Sequence, residues 1–255
     1  MPDSMSVLGR VVLEFIKMGV AFDNVSKEEA IAVGCNYMES ENTDYVVTPN
    51  AEIVYTAQKN NDLMNVLNHA SLVLPDGIGV IYASRWLKCP LKEKVAGIEF
   101  GTAMIAKCAE NHWRLFLLGA KPGVAEKAAD KLQKDNPGLI IAGTNDGYFS
   151  DDDMVARKIC DSKADLVLVC LGAPKQEFWM AKYGKVTGAK LLCGLGGALD
   201  VFAGISERAP DIWVKLGLEW AYRLVKEPWR IKRQINLPKF ILAVLGRKIM
   251  GGYND

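Results

Sequence analysis

The chain has 255 residues, half of them hydrophobic and 24% charged, an ordinary balance for a folded globular protein. Its formal net charge of +1 excludes a protein held on nucleic acid by global charge, and no nucleic-acid partner is expected. The length suits one main domain with an appendage better than two equal domains.

Taken in chain order, short apolar runs predict strands at Met18–Phe22, Tyr45–Val47, Leu72–Leu74, Leu115–Leu118, Leu139–Ala142, Leu166–Leu171 and Lys190–Cys193. Continuous apolar runs of this length, separated by helical patterns, belong to parallel strands buried on both faces. Helix starts are also legible. Ser26-Lys27-Glu28-Glu29 has the capping-box pattern ahead of Ala30–Met38, and Ser150-Asp151-Asp152-Asp153 repeats it ahead of Met154–Cys160. Pro122 suits a first helical turn leading into Val124–Lys134. The alternation predicts an α/β fold, an open doubly wound parallel sheet. There is no internal repeat and no low-complexity linker.

Cys35, Cys89, Cys108, Cys160, Cys170 and Cys193 form no CxxC pair, and most lie in apolar runs. They are expected to be buried free thiols of a reducing cytosol. Met1 to Arg10 lacks an apolar core behind a basic start, so no signal peptide is expected. No apolar run approaches the roughly 18 residues of a membrane span.

In doubly wound sheets, ligands bind beyond the carboxyl ends of the strands. The residues there are Thr48-Pro49-Asn50, Pro75-Asp76-Gly77, Gly119 to Gly123, Asp146-Gly147-Tyr148-Phe149, Leu171 to Glu177, and Gly194 to Asp200. Glycine lets backbone approach a ligand closely, and helix N-termini favour phosphate. Turn chemistry alone also accounts for any one of these segments. Neither a G-x-G-x-x-G fingerprint nor a GxxxxGK[ST] loop is present. Asp76, between Pro75 and Gly77, is the sharpest candidate for a general base; the other role open to it is holding backbone amides of the turn. Asp146, Glu177 and Asp200 are rival carboxylates. His69 and His112 lack partner spacing for a metal, and Asp151 to Asp153 read better as a helix cap than as ligands. No metal and no cofactor are expected.

From Ile212 to Met250 nine bases face two acids, a net +7, which leaves −6 for the remainder. The segment holds Trp213, Trp220 and Trp229, with Ile212, Leu216, Trp220 and Leu224 at helical spacing. Pro228 and Pro238 are expected to divide it into short helices. Lys239–Met250 sets Phe240, Ile241, Val244 and Leu245 beside Arg247 and Lys248. Such a helix can lie in an anionic membrane interface, or simply pack on the core with solvated lysines. Arg223, Arg230 and Arg233 could hold a pyrophosphate with their forked donors.

As an ordered set, Thr48-Pro49-Asn50, Leu74 to Gly77, Phe116 to Gly119, Gly147 to Phe149, Leu171 to Glu177, Gly196 to Asp200, Arg208-Ala209-Pro210, Gly217 to Leu224, Glu227-Pro228 and Arg230 resemble the WecG/TagA/CpsF family of glycosyltransferases. The resemblance spans about Met18 to Arg233. It implies a Rossmann-like core over residues 1–205 and a helical appendage over 206–255 that closes the site and meets the membrane. It further implies an inverting, metal-independent transferase. Its best-known members move N-acetylmannosamine from a UDP donor to the 4-hydroxyl of N-acetylglucosamine on undecaprenyl diphosphate, toward wall teichoic acid or enterobacterial common antigen. By that resemblance Asp76 matches the base, and Thr48, Asn50 and Gln176 match substrate-pocket residues. Arg223, Arg230 and Arg233 match basic residues of the appendage. Lys94, Gly119, Gly147, Tyr148 and Glu177 complete the expected substrate-binding set. Lys94 stands where the family commonly has arginine, which keeps the charge and loses the bidentate fork. The implied partners are a UDP-sugar, a polyprenyl-diphosphate-linked acceptor and the inner face of the cell membrane, on which a cytoplasmic enzyme would sit peripherally. A homo-oligomer stays open. So do a relative using another UDP-hexose for capsule or exopolysaccharide, and a non-catalytic UDP-binding protein of a membrane assembly.

Overall fold

The computed structural model describes residues 12–13, 18–210, 212–213, 218–226 and 236–251. Two short strands, β1 (Val12–Leu13) and β2 (Phe22–Asp23), pair antiparallel. The main sheet contains β3 (Asp44–Val47), β4 (Leu72–Val73), β5 (Arg114–Gly119), β6 (Ile140–Asn145), β7 (Leu166–Cys170) and β8 (Leu191–Gly194). Its order is β4-β3-β8-β7-β5-β6, and every pairing is parallel. The helices are α1 (Lys27–Glu39), α2 (Ala51–Ala57), α3 (Asn61–Asn68), α4 (Ile78–Trp86), α5 (Gly97–Asn111), α6 (Val124–Asp135), α7 (Asp152–Ser162), α8 (Lys175–Thr187), α9 (Ala198–Phe202), α10 (Glu219–Lys226) and α11 (Asn236–Gly251).

The apolar runs become strands because both faces of the sheet are covered. On β5, Leu115 and Leu117 join a core cluster with α1, α5, α6 and α9. Phe116 and Leu118 join the opposite cluster with α2, α3, α4, α7 and α8. β7 divides the same way, with Leu166, Leu168 and Cys170 on one face and Val167 and Val169 on the other. Period-2 alternation between two apolar layers makes β5 beyond Arg114, and the whole of β7, a continuous apolar run.

Several expected boundaries move, each for a local reason. Met18, Val20 and Phe22 are buried as their pattern requires, but only Phe22 begins a strand. Gly19 has φ +88, which turns the chain, and Asn68 holds the turn by accepting from Ala21 N–H and donating to the Gly19 carbonyl. The strand expected to end at Ala142 runs to Asn145. Gly143 continues it because a Cβ there would lie 2.8 Å from the Phe116 ring, and the β5–β6 register shifts at Leu115/Phe116. The capping box at Ser26 and Glu29 is present. Before α7 the cap is Asp151 rather than Ser150; its carboxylate accepts from Met154 N–H at 2.9 Å. Gly123, with φ +83, precedes α6 as its cap, so Pro122 lies outside the helix. Of the six cysteines, all free, Cys108, Cys170 and Cys193 are buried as expected; Cys35 and Cys89 are partly covered and Cys160 is exposed.

α2 follows β3 on one face, whereas α9 follows the adjacent β8 on the other. The strand ends of β3 and β8 therefore flank a topological switch point, the place where doubly wound sheets bind ligands. α11 packs against α2 and α4. Phe240 and Val244 are buried in that core cluster, while Ile241, Leu242 and Leu245 remain exposed. Pro238 lies in the first turn of α11, where a missing N–H breaks no helical bond. Among the described residues, no helix is long and apolar enough to cross a membrane.

Candidate active site

The loops at this switch point hold one another. Asp76 follows β4, and its Oδ2 accepts from Gly97 N–H at 3.2 Å. Gly97 is the first residue of α5, so the carboxylate sits at the positive end of a 15-residue helix. Gly77 beside it has φ +86, a conformation that favours glycine and sharply redirects the chain into α4. Gly97 in turn packs on Thr48: a Cβ there would lie 2.9 Å from Thr48 Oγ1. Thr48 is 8% exposed and donates its hydroxyl to the Gly194 carbonyl at 3.0 Å, joining the ends of β3 and β8.

Gln176 and Glu177 come from the first turn of α8. Gln176 Oε1 accepts from Gly196 N–H at 2.9 Å, and its Nε2 donates to Glu177 Oε1 at 2.9 Å. Both side chains are buried, and burial pushes the Glu177 carboxyl above its ordinary range. Glu177 Oε2 has no hydrogen-bond partner among the described residues.

Around this centre lie two ion pairs. Lys94 Nζ is 3.7 Å from Glu219 Oε2, linking the loop before α5 to α10. Arg208 pairs with Glu99 in the first turn of α5. At the β5–β6 side, Gly147 N–H donates to the Ala120 carbonyl at 2.8 Å, and Lys175 Nζ donates to the Gly147 carbonyl at 3.1 Å. Tyr148 stands 72% exposed beyond β6. Burial raises the Cys108 and Cys170 thiols to about 12, which leaves no thiolate nucleophile there at neutral pH. Among the described residues no three His, Cys, Asp or Glu side chains gather as a metal site.

The profile of the WecG/TagA/CpsF glycosyl transferase family matches residues 16–253. The chain belongs to the WecG/TagA/CpsF glycosyltransferase family. It is 39% identical over 209 residues to a protein of Bacillus spizizenii strain W23, covering 82% of this chain and 81% of that one. It is 37% identical over 210 residues to one of Bacillus subtilis strain 168, covering 82% of each. It is 35% identical over 234 residues to one of Staphylococcus aureus strain MRSA252, covering 91% and 92%. All three are named N-acetylglucosaminyldiphosphoundecaprenol N-acetyl-beta-D-mannosaminyltransferase.

For this WecG/TagA/CpsF member, the fold joins Thr48, Asp76, Gln176 and Glu177 through Gly97, Gly194 and Gly196. Other expected residues have local duties. Asn50 Oδ1 caps α2 by accepting from Ile53 N–H at 3.0 Å. Asp146 Oδ1 accepts from Tyr148 N–H, shaping its own turn. Gly119, with φ +130, is required by strand packing, since a Cβ would fall 2.3 Å from the Cys170 carbonyl oxygen. Arg223 lies on α10 with its side chain outside the described residues; Arg230 and Arg233 also lie outside them. Sequence reasoning gave no role to Glu99, Arg208 or Glu219. Arg208-Ala209-Pro210 and the Glu219 segment were visible only as motifs, because an ion pair across 109 residues leaves no spacing signal.

Proposed function

We propose that this glycosyltransferase moves N-acetylmannosamine from UDP-N-acetylmannosamine to the 4-hydroxyl of N-acetylglucosamine on undecaprenyl diphosphate, with inversion and without metal. The observation that carries the reading is Asp76, a carboxylate at the switch point of a chain whose relatives bear that activity in their names. In this scheme Asp76 takes the proton of the acceptor hydroxyl as its oxygen attacks the sugar's anomeric carbon. The bond from that carbon to the diphosphate breaks, and UDP leaves with the bonding electron pair. Lys94, the amino end of α5 and the arginines 223, 230 and 233 supply positive charge for the leaving group. Thr48, Asn50, Gly119, Gly147, Tyr148, Gln176 and Glu177 line or support the donor and acceptor pockets.

The appendage, residues 206–255, closes the site and rests on the inner face of the membrane. Supporting this, α11 buries Phe240 and Val244 but presents Ile241, Leu242 and Leu245 outward on a strongly basic segment. α4, on which α11 packs, also exposes the stacked pair Tyr82 and Trp86, rings 6.5 Å apart. The enzyme would thus be peripheral and its product a linkage unit for wall teichoic acid.

One observation keeps a second donor in view: Lys94, where the resemblance leads one to expect arginine, is engaged by Glu219. Incubating the protein with a short-chain lipid-diphosphate N-acetylglucosamine and a panel of UDP-hexoses, then identifying the lipid product, decides between them. A β-N-acetylmannosaminyl product from UDP-N-acetylmannosamine alone supports the first reading. A product from a different donor replaces it with the second.

A further inference from the structure

We propose that Glu177 is an uncharged positioning acid that clamps the Gln176 carboxamide onto the Gly196 turn beside Asp76. The role in turnover rests on the transferase reading above; the clamp itself does not. The amide of Gln176 has only one orientation available. Gly196 N–H can only donate, so Gln176 Oε1 faces it, and Nε2 must face Glu177 Oε1. Glu177 Oε1 is therefore an acceptor, and any carboxyl proton sits on Oε2. The carboxamide also lies flat against the end of β8: a Cβ on Gly194 would come 3.1 Å from Nε2 and 2.7 Å from Met180 Cε.

Glu177 is 1% exposed, and its Oε2 has no donor among the described residues. The influences on its proton are burial, which dominates and raises the pKa, then the Gln176 amide and its own backbone N–H. No charged side chain among the described residues is one of them. An ionised carboxylate held there would be a buried charge with neither cation nor sufficient N–H groups, an arrangement far more unfavourable than a buried neutral acid.

The clamp reaches the catalytic carboxylate through consecutive contacts. Releasing Gln176 frees Gly196 N–H and loosens the turn that begins at Gly194. Gly194 receives the Thr48 hydroxyl, Thr48 packs on Gly97, and Gly97 N–H holds Asp76.

The test compares wild type with Glu177→Gln and Glu177→Met. Glutamine reproduces the neutral acid's acceptor and donor; methionine fills the space and leaves Gln176 Nε2 without an acceptor. With UDP-sugar and lipid acceptor, E177M should lose about tenfold or more in kcat/KM while remaining folded, and the conservative E177Q should recover most of that loss. Difference infrared spectra between wild type and E177Q at neutral pH should contain the C=O band of a protonated carboxyl. Because the folded acid binds its proton more tightly than the unfolded one, the contribution of Glu177 to stability is fully present below the ordinary value of 4.5 and is lost as pH rises through the raised value. E177Q should lack that component of the Tm–pH curve. An E177Q enzyme as impaired as E177M, or no protonated-carboxyl band, would overturn the uncharged acid. E177M with wild-type kcat and KM would overturn the positioning role. If wild type turned over no donor at all, the transferase reading would fail, and the infrared and Tm–pH results would still decide the state of Glu177.

Discussion

Asp76 is held by a hydrogen bond that asparagine can also accept, so Asp76→Asn separates structure from chemistry. Its Tm should match wild type, and its kcat should fall by about 10²- to 10⁴-fold, the range for loss of a general base. Thr48→Val removes the donor to a buried carbonyl in the same shape. It should cost about 1 kcal/mol, read as a Tm lowered by about 2–4 °C in thermal unfolding. An unchanged Tm would mean the Thr48–Gly194 link does not tie the strand ends. At this scale the candidate site was only partly legible. Asp76 stood out because Pro and Gly flank a lone acid at a strand end. The buried duties of Thr48 and Gln176 were hidden, since their partners are backbone groups of residues far along the chain, and that of Glu177 was hidden because it acts on Gln176. Gly147 lies in the expected turn, whereas Gly119 ends β5, and the structure ties both to neighbouring backbone.

Among elements, the start of α5 joins Thr48 to Asp76, the base of the proposed reaction. Gly97→Ala places a methyl 2.9 Å from Thr48 Oγ1, which is itself pinned to Gly194. The displaced helix start should move Asp76, lowering kcat/KM about ten- to hundredfold with a smaller change in Tm. Wild-type kinetics in this variant would remove α5 from the account. α11 offers a test of packing: Phe240→Ala should destabilise by about 3–5 kcal/mol if the helix unfolds with the core, measured by urea denaturation. Buried strands were legible because two apolar layers leave an unbroken hydrophobic run. The segment from Met18 to Phe22 misleads for the same reason, since its residues are buried while Gly19 and Asn68 give the backbone a turn. The caps of α1 and α7 were legible to within a residue, as at Asp151, where consecutive acids compete for one cap.

At the scale of the whole molecule, the chain combines an acidic body with a basic segment of net +7 from Ile212 to Met250. That asymmetry was legible by counting, whereas the division of α11 into a docked face and an outward face required the packing of α2 and α4. Replacing Ile241, Leu242 and Leu245 by serine should leave the fold intact and abolish cosedimentation with anionic vesicles, and the wild-type binding should weaken with salt. Retained vesicle binding by the triple variant would move the membrane contact elsewhere.

In the proposed reaction, Asp76 drives sugar transfer from a UDP donor to a lipid-diphosphate acceptor. That role is tested most directly by UDP release from UDP-N-acetylmannosamine, with and without the N-acetylglucosamine lipid acceptor, in EDTA, for wild type and Asp76→Asn. The account predicts acceptor-dependent release by wild type, unaffected by EDTA, and almost none by a folded Asp76→Asn. Equal release by the two proteins would contradict it and place the base on another carboxylate.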